Sequence, residues 1–355
     1  MTAMDAILHA GITKTGTTTI QKFLRDNRDA LSRQGFFVPD SVMAAAPFGQ
    51  HVGLPAMAAA RAGDLGMARW MSRNVIAPKA NPEKGLERVH RKFLREIEEA
   101  AAHPTALISS EGISVIDEQA LGELHGLLAP VFDKITVLVY LRRQDRHSVS
   151  LFNSMVRIEK PVTSVFQDPP VPSHRFDVML GHFAALFGRE NIKVRLFEPQ
   201  KMKEGDSLRD FIDVCGIEPE PASAPALVFP ARQNESLSAR QAVFLHLLQQ
   251  EQGSKKLPPM RLRPVLDVLQ CEEIFMPARA EAEAYYGQFA ESNARVARDY
   301  FGTDGPLFDE DFSMYPENAG FDDYLTLDDM AQAMLKHLKA EQKAHRRKSR
   351  SRTDV

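Results

Sequence analysis

Met4-Asp5-Ala6-Ile7-Leu8-His9-Ala10, then Gly11-Ile12-Thr13-Lys14-Thr15-Gly16-Thr17-Thr18-Thr19, then Ile20-Gln21-Lys22-Phe23-Leu24, reads as strand, tight loop and helix. Ile7 and Leu8 make a short apolar strand, and Gly11 and Gly16 bracket four residues. From Thr17 onward the apolar residues Ile20, Phe23 and Leu24 recur at helical spacing. A loop that enters a helix this way aims backbone N–H groups and the positive helix end at one point, which is an anion site.

The glycine spacing is nearly that of a Walker A loop, G-x-x-x-x-G-K-[ST]. Thr17 stands where that motif has its lysine, and the lysine of this chain is Lys14, inside the loop. The cradle is kept and the cation is moved. Lys14-Thr15-Gly16-Thr17 resembles the Lys-x-Gly-Thr core of the 5′-phosphosulfate loop of the sulfotransferase family. The plain alternative is a Gly/Thr turn with a solvent-facing lysine.

At 355 residues the chain has room for one large α/β domain or two smaller ones, with a sizeable core. Its hydrophobic content of 44% and charged content of 26% are those of an ordinary globular protein. A net charge of -3 gives no overall attraction to nucleic acid. Cys215 and Cys271 are the two cysteines, too few for a disulfide framework or a thiolate metal cluster, and are expected to be structural thiols in a reducing cytosol. No apolar run approaches the ~20 residues of a membrane helix. Asp5 and His9 interrupt the first apolar run, so it does not read as a signal peptide, and the expected location is cytoplasmic.

Along the chain, residues 41–80 are rich in Ala, Met, Gly and Pro and hold Trp70, the single tryptophan. Short helices and loops fit them, as an acceptor-binding insertion or as a surface excursion packed by Trp70 and the methionines. Residues 83–102 read as an amphipathic helix through Leu86, Val89, Phe93, Leu94 and Ile97. Thr105–Ser110 reads as a buried strand ending at Glu111, and a helix follows at 117–129. Ile135–Leu141 is an unbroken apolar run, as a central parallel strand covered on both faces requires. A helix over 175–187 and a strand over 192–197 continue the alternation. The fold class expected is α/β: a three-layer open parallel sheet with a P-loop-like loop and a helix-rich C-terminal half. The second half offers helices at 208–215, from Ser238 to about Gln252, and over 278–300. A proline-containing linker is expected at 217–230 and an acidic, aromatic covering loop at 309–324. The domain expected is 1–330, followed by a basic tail at 331–355 that begins as helix and ends disordered. That tail is either plainly solvated or drawn to an anionic partner such as a polysaccharide or a membrane surface.

A second anchor follows the strand at 135–141. In sulfotransferases a strand of this kind delivers an arginine, with a serine eight residues on, and the two hold the cofactor's 3′-phosphate. Arg142 and Ser150 have that spacing, and Arg143 is the substitute for Arg142. An arginine fork binds phosphate oxygens bidentately, and strand ends of open α/β sheets are where ligands bind. Together with Asn234-Glu235-Ser236-Leu237-Ser238 and Phe289-Ala290-Glu291-Ser292-Asn293, the chain resembles the bacterial carbohydrate-type sulfotransferases over most of 4–312. It lacks the Arg-Lys-Gly adenine-cap motif of the eukaryotic cytosolic group, and Arg232 is the candidate for one of the missing contacts.

The resemblance implies 3′-phosphoadenosine 5′-phosphosulfate (PAPS) as donor, with Thr13, Lys14, Thr15, Gly16, Thr17, Thr18 and Thr19 around its 5′ end. It implies an acceptor hydroxyl or amine, on a carbohydrate or another metabolite, and no metal ion. Lys14 and the N–H groups of Thr15 to Thr18 would stabilise the leaving phosphate oxyanion. Three residues are candidates for the base that takes the acceptor proton. Glu111 ends a strand at the ligand edge, and the alternative for it is a helix-capping carboxylate or one that only supports another site residue. His51 lies in the proposed acceptor wall, and the alternative for it is an exposed loop histidine. His9, just before the loop, reads as structural. The rival functions are a P-loop kinase, disfavoured by the missing Lys-[ST] after Gly16, and a non-catalytic nucleotide-binding relative.

Overall fold

The computed structural model describes residues 4–45, 49–76, 81–157, 162–220, 226–231, 237–252 and 259–350. In chain order the elements are β1 (Asp5–Ala10), α1 (Thr17–Asp26), α2 (Arg28–Arg33), β2 (Phe36–Phe37), α3 (Gly53–Arg61), α4 (Leu65–Ser72), α5 (Pro82–Glu99), β3 (Thr105–Ser110), α6 (Glu118–Leu128), β4 (Ile135–Leu141), α7 (Gln144–Arg157), α8 (Phe176–Phe187), β5 (Ile192–Leu196) and α9 (Ser207–Cys215). They continue with α10 (Ala239–Gln252), α11 (Pro259–Val268), α12 (Arg279–Gly287), α13 (Ala290–Phe301), α14 (Phe321–Tyr324) and α15 (Leu327–Arg350).

The chain folds as two compact units. The first comprises 1–143, 172–233 and 291–308, and the second comprises 144–171, 234–290 and 309–355. All five strands belong to the first and form one parallel sheet in the order β2-β3-β1-β4-β5. One face carries Ile7, Leu107, Leu138 and Tyr140 and is covered by Ile20, Phe23 and Leu24 of α1, Leu31 of α2 and Phe211 and Ile212 of α9. Leu8, Ile108, Val137 and Val139 alternate with these and are buried on the opposite face, and α8 packs against β4 and β5. The α/β class with helices on both faces is therefore the observed one.

Strand register decides where the loops emerge. Ala10 pairs with Ser110, so Gly11 and Glu111 leave adjacent strands at one level. Leu8 pairs with Val137 and His9 with Leu138, and the same register carried onward brings Arg142 level with Thr13. From β1 the chain turns towards β2, and from β4 towards β5, so their carboxyl ends flank a topological switch point. The buried Asp210 locks this corner: it accepts from the Tyr140 hydroxyl at 2.9 Å, Arg195 Nε at 2.9 Å and the Lys203 N–H at 2.9 Å.

Within segment 41–80, α3 lies in the core, while α4 exposes Leu65, Gly66, Arg69 and Trp70. Every residue of α3 from Gly53 to Ala59 is buried, and α3 packs on α4, α5 and α6. Gly53 lets the start of α3 approach the preceding segment, since a Cβ there would lie 2.9 Å from the Val42 carbonyl oxygen. Trp70, expected as the packing residue, is instead 48% exposed, while Met57 and Met71 are buried.

The second unit is helical among the described residues, with a core that includes Phe152, Leu245, Phe275 and Tyr315. Tyr315 donates to Asp145 Oδ2 at 2.7 Å. Two helix expectations change. The helix expected over 278–300 is two, α12 and α13, broken after Gly287, the residue of lowest helix propensity after proline. The basic segment expected to end as a disordered tail is helical to Arg350 within α15, whose Ala333 is buried and which packs on α11. Its Leu, Lys, Ala and Gln residues are strong helix formers. Residues 351–355 lie outside the described ones. Helix α11, which contains Pro264, has no counterpart among the expected elements.

Phe23 is completely buried where α1 meets the sheet. Phe23→Ala should destabilise the chain by about 3–5 kcal/mol, read as a lower denaturant midpoint with an unchanged slope.

Candidate active site

The Gly11–Gly16 loop is held from several sides. The Gly11 N–H donates to the Ser110 carbonyl at 3.3 Å, and Ser114 Oγ donates to the Gly11 carbonyl at 2.9 Å. Inside the loop, Thr15 Oγ1 donates to the Ile12 carbonyl at 2.6 Å. Lys14 has φ 65°, a left-handed conformation that costs a non-glycine residue on the order of 1–3 kcal/mol and persists only where neighbours impose it. Arg142 is one such neighbour: its Nη1 donates to the Lys14 carbonyl at 2.7 Å, and its guanidinium carbon lies 5.4 Å from the Phe197 ring centre. Gly16 is required twice over. Its φ is 78°, and a Cβ there would run into the Ser207 hydroxyl. Helix α1 then starts with no side-chain cap on its first N–H groups, which is the arrangement of an anion cradle.

Glu111 is tied to this loop. The Thr17 hydroxyl donates to Glu111 Oε1. Burial pushes the Glu111 carboxyl above the ordinary carboxylate range, while the Thr17 hydrogen bond and the Lys14 charge pull it back. Glu111 opens a single turn of 3-10 helix, Glu111–Ser114, whose capping acceptor is Ser110 Oγ, bonded to the Gly112 N–H at 3.2 Å. The capping alternative for Glu111 therefore falls to Ser110.

The two histidines are buried. His51 is 0% exposed, its backbone N–H donates to the Ser109 carbonyl at 2.8 Å, and the Ser109 N–H donates to its Nδ1 at 3.0 Å. The Ser109 carbonyl lies 3.2 Å from the same Nδ1, so the Ser109 backbone engages that nitrogen in either tautomer, and Nε2 is buried. Desolvation lowers the His51 pKa to about 4. The exposed loop histidine of the sequence reading is thus a buried pin between the 49–52 segment and β3. His9 is likewise fully buried, with Nδ1 2.9 Å from Ser109 Oγ and its ring edge-on to Tyr140, and burial alone lowers its pKa to about 3.

Beside the loop lies a cavity of about 110 Å³, lined by Thr13, Glu111, Gly112, Val52, Trp70 and Arg73 among others. Gly112 permits the close approach of α3, since a Cβ there would lie 2.7 Å from Pro55 Cγ. The remaining expected site residues are distributed as follows. Thr15 and Thr17 are buried, Thr13, Lys14, Gly16 and Thr19 are half-buried, and Thr18 is exposed. Arg143, the expected substitute for Arg142, is buried, at 1% exposed. Ser150 is half-buried on α7 of the second unit. Arg232 lies outside the described residues. The sequence reading missed Val52, Met71, Arg73 and Val115 in the cavity lining and Phe197 and Ser207 behind the loop, which no local motif marks. Both cysteines are free thiols. Among the described residues no cluster of three or more His, Cys, Asp or Glu is placed to hold a metal ion, and no helix is long and apolar enough to cross a membrane.

No family model matches the chain, and no curated protein matches it. Solved structures similar to it include two sulfotransferases. One is a sulfotransferase from Alicyclobacillus acidocaldarius, 13% identical, with a TM-score of 0.43 over 84% of this chain and 96% of that one. The other is the sulfotransferase domain from the curacin biosynthetic pathway, 12% identical, with a TM-score of 0.36 over 81% of this chain and 98% of that one.

The buried histidines give the fold a pH dependence. They are neutral when folded and return to the ordinary value of 6.5 on unfolding, so below pH 6.5 the unfolded chain binds more protons. Stability is complete above that value and falls as the pH drops towards the folded values, by about 1.4 kcal/mol per unit for each ring. Thermal melts between pH 7.5 and 5 should show a declining midpoint, with a shallower decline in His51→Asn. Equal slopes in the two proteins would locate the titration elsewhere.

Proposed function

We propose that this chain is a sulfotransferase that moves a sulfuryl group from PAPS to an acceptor hydroxyl or amine by in-line displacement. The observation that carries the reading is the braced loop: Lys14 is held left-handed beside the uncapped start of α1, level with a carboxylate bonded to Thr17. The donor's 5′-phosphate would sit against the N–H groups of Thr15 to Thr18 and the Thr17 and Thr18 hydroxyls. The acceptor oxygen attacks sulfur, its proton passes to Glu111, and the bond from sulfur to the bridging oxygen breaks. That oxygen becomes a phosphate oxyanion of adenosine 3′,5′-bisphosphate, neutralised by Lys14 and the helix start. Glu111 suits the base role because burial raises its proton affinity while Thr17 keeps one oxygen in place. His51 is a poor second, with Nδ1 taken by Ser109.

Arg142 has two duties in this reading. It braces the Lys14 carbonyl, and it is the candidate for the 3′-phosphate, as the resemblance implies. Ser150 and Arg232 keep their expected phosphate and nucleotide roles as part of the same proposal. A carbohydrate hydroxyl is the acceptor class that the resemblance implies, the chemistry needs no metal ion, and a cytoplasmic location belongs to the same reading.

Lys14→Ala should lower sulfate transfer from labelled PAPS by about 100-fold or more with an unchanged melting temperature. Transfer at the parent rate would remove Lys14 from the mechanism. Adenosine 3′,5′-bisphosphate without metal should raise the melting temperature more than ATP with Mg²⁺, and the reverse order would favour the kinase reading. Arg142→Ala should weaken bisphosphate binding, and unaltered affinity would move the 3′-phosphate to another residue.

A further inference from the structure

We propose that the acceptor is a small hydroxylated ring carrying an anionic group, selected by Trp70 and Arg73. The proposal rests on the sulfuryl-transfer reading and names the substrate class of that same site.

The cavity joins donor loop and acceptor wall in one space. Thr13 comes from the loop, Glu111 and Gly112 from the turn after β3, and Trp70, Met71 and Arg73 from the end of α4. At about 110 Å³ and open to solvent, it has room for a ring-sized part of a ligand. Its upper wall is apolar and open to solvent: Trp70 is 48% exposed and Val115 46%. An exposed tryptophan alone means little. This one borders the carboxylate and the loop, and it is carried by α4, which packs on α3, buried from Gly53 to Ala59. A flat indole face on a firm support is a platform for a ring, aryl or sugar.

Charge supplies the second half. The Arg73 guanidinium lies over the Trp70 ring, 5.6 Å from its centre. Among the described residues Arg73 makes no ion pair, and its side chain is exposed. The cation acting on Glu111 is Lys14, which leaves the Arg73 charge for something at the cavity rim. Stacking on the indole keeps the guanidinium fork oriented, and a fork of that shape pairs best with carboxylate, sulfate or phosphate. A ligand satisfying both ends presents a hydroxyl towards Glu111 and an anion towards Arg73, with its ring along Trp70.

Trp70 is the only tryptophan of the chain, so its fluorescence reports this cavity directly. The test titrates two matched pairs of probes: methyl glucuronide against methyl glucoside, and 4-hydroxyphenylacetate against 4-hydroxyphenylacetamide. In at least one pair the acid should bind about tenfold or more tightly than its neutral partner. The responding pair tells a sugar acceptor from an aryl one. Arg73→Ala should abolish the preference by weakening the acid alone, and Arg73→Lys should retain part of it. No saturable fluorescence change with any of the four probes, equal affinity within both pairs, or a preference that survives Arg73→Ala would each overturn the proposal. Bisphosphate binding, followed by calorimetry in the same proteins, should be unchanged by Arg73→Ala. Its absence in the parent protein would count against sulfuryl transfer itself, independently of the probe result.

Discussion

The hydrogen bond from Arg142 Nη1 to the Lys14 carbonyl ties the end of β4 to the loop that follows β1. The loop needs it. Lys14 stands in a left-handed conformation that a lysine does not choose for itself, and Gly16 stands in another that only glycine accepts cheaply. Sheet register brings Arg142 to the right level, and the Phe197 ring supports the guanidinium from β5's side of the sheet. Strain at the loop is thus imposed by elements that are themselves deeply packed. Such strain accompanies pre-organisation: under the proposed function, the cradle is shaped before an anion arrives.

The wall opposite the loop is built on the same principle with different materials. Helix α3 achieves close packing with four alanines and a glycine among its nine residues, and Gly53 and Gly112 allow backbone to meet backbone or a proline ring. His51 pins the preceding segment to Ser109 by both main chain and ring. A buried neutral histidine can do this because the energy lost in desolvating it is offset by paired backbone groups at the strand end. The outcome is a rigid support that leaves Trp70 and Arg73 at its surface.

Much of the first unit is legible in the chain. The strand, loop and helix at residues 5–26 follow from an apolar run, two glycines and a 3.6-residue pattern, and the uninterrupted apolar run at 135–141 announces a central parallel strand. Glu111 is found because it is the first polar residue after a buried strand. Its bond with Thr17 is another matter, since that depends on β1 and β3 ending at the same level, a fact of pairing that no local pattern encodes. The exposure of Trp70 was hidden for a similar reason: composition says that a tryptophan wants burial, and only tertiary packing says that α3 already fills the space. Helix α11 was obscured by Pro264, and α15 by a run of cations that reads as a tail until its buried Ala333 and its packing on α11 are considered.

The strand order has one more consequence, for how the protein keeps to itself. An open sheet has two edges, and each exposes unpaired backbone groups to any passing strand. Here one edge is β2, only two residues long, and the other is β5, whose Lys193 is exposed and whose Arg195 is committed to Asp210. A template of two residues is too short to recruit a foreign strand, and a lysine on the other edge makes docking there costly. The sheet that presents a strained loop at one end is thereby guarded along its sides against joining its own kind.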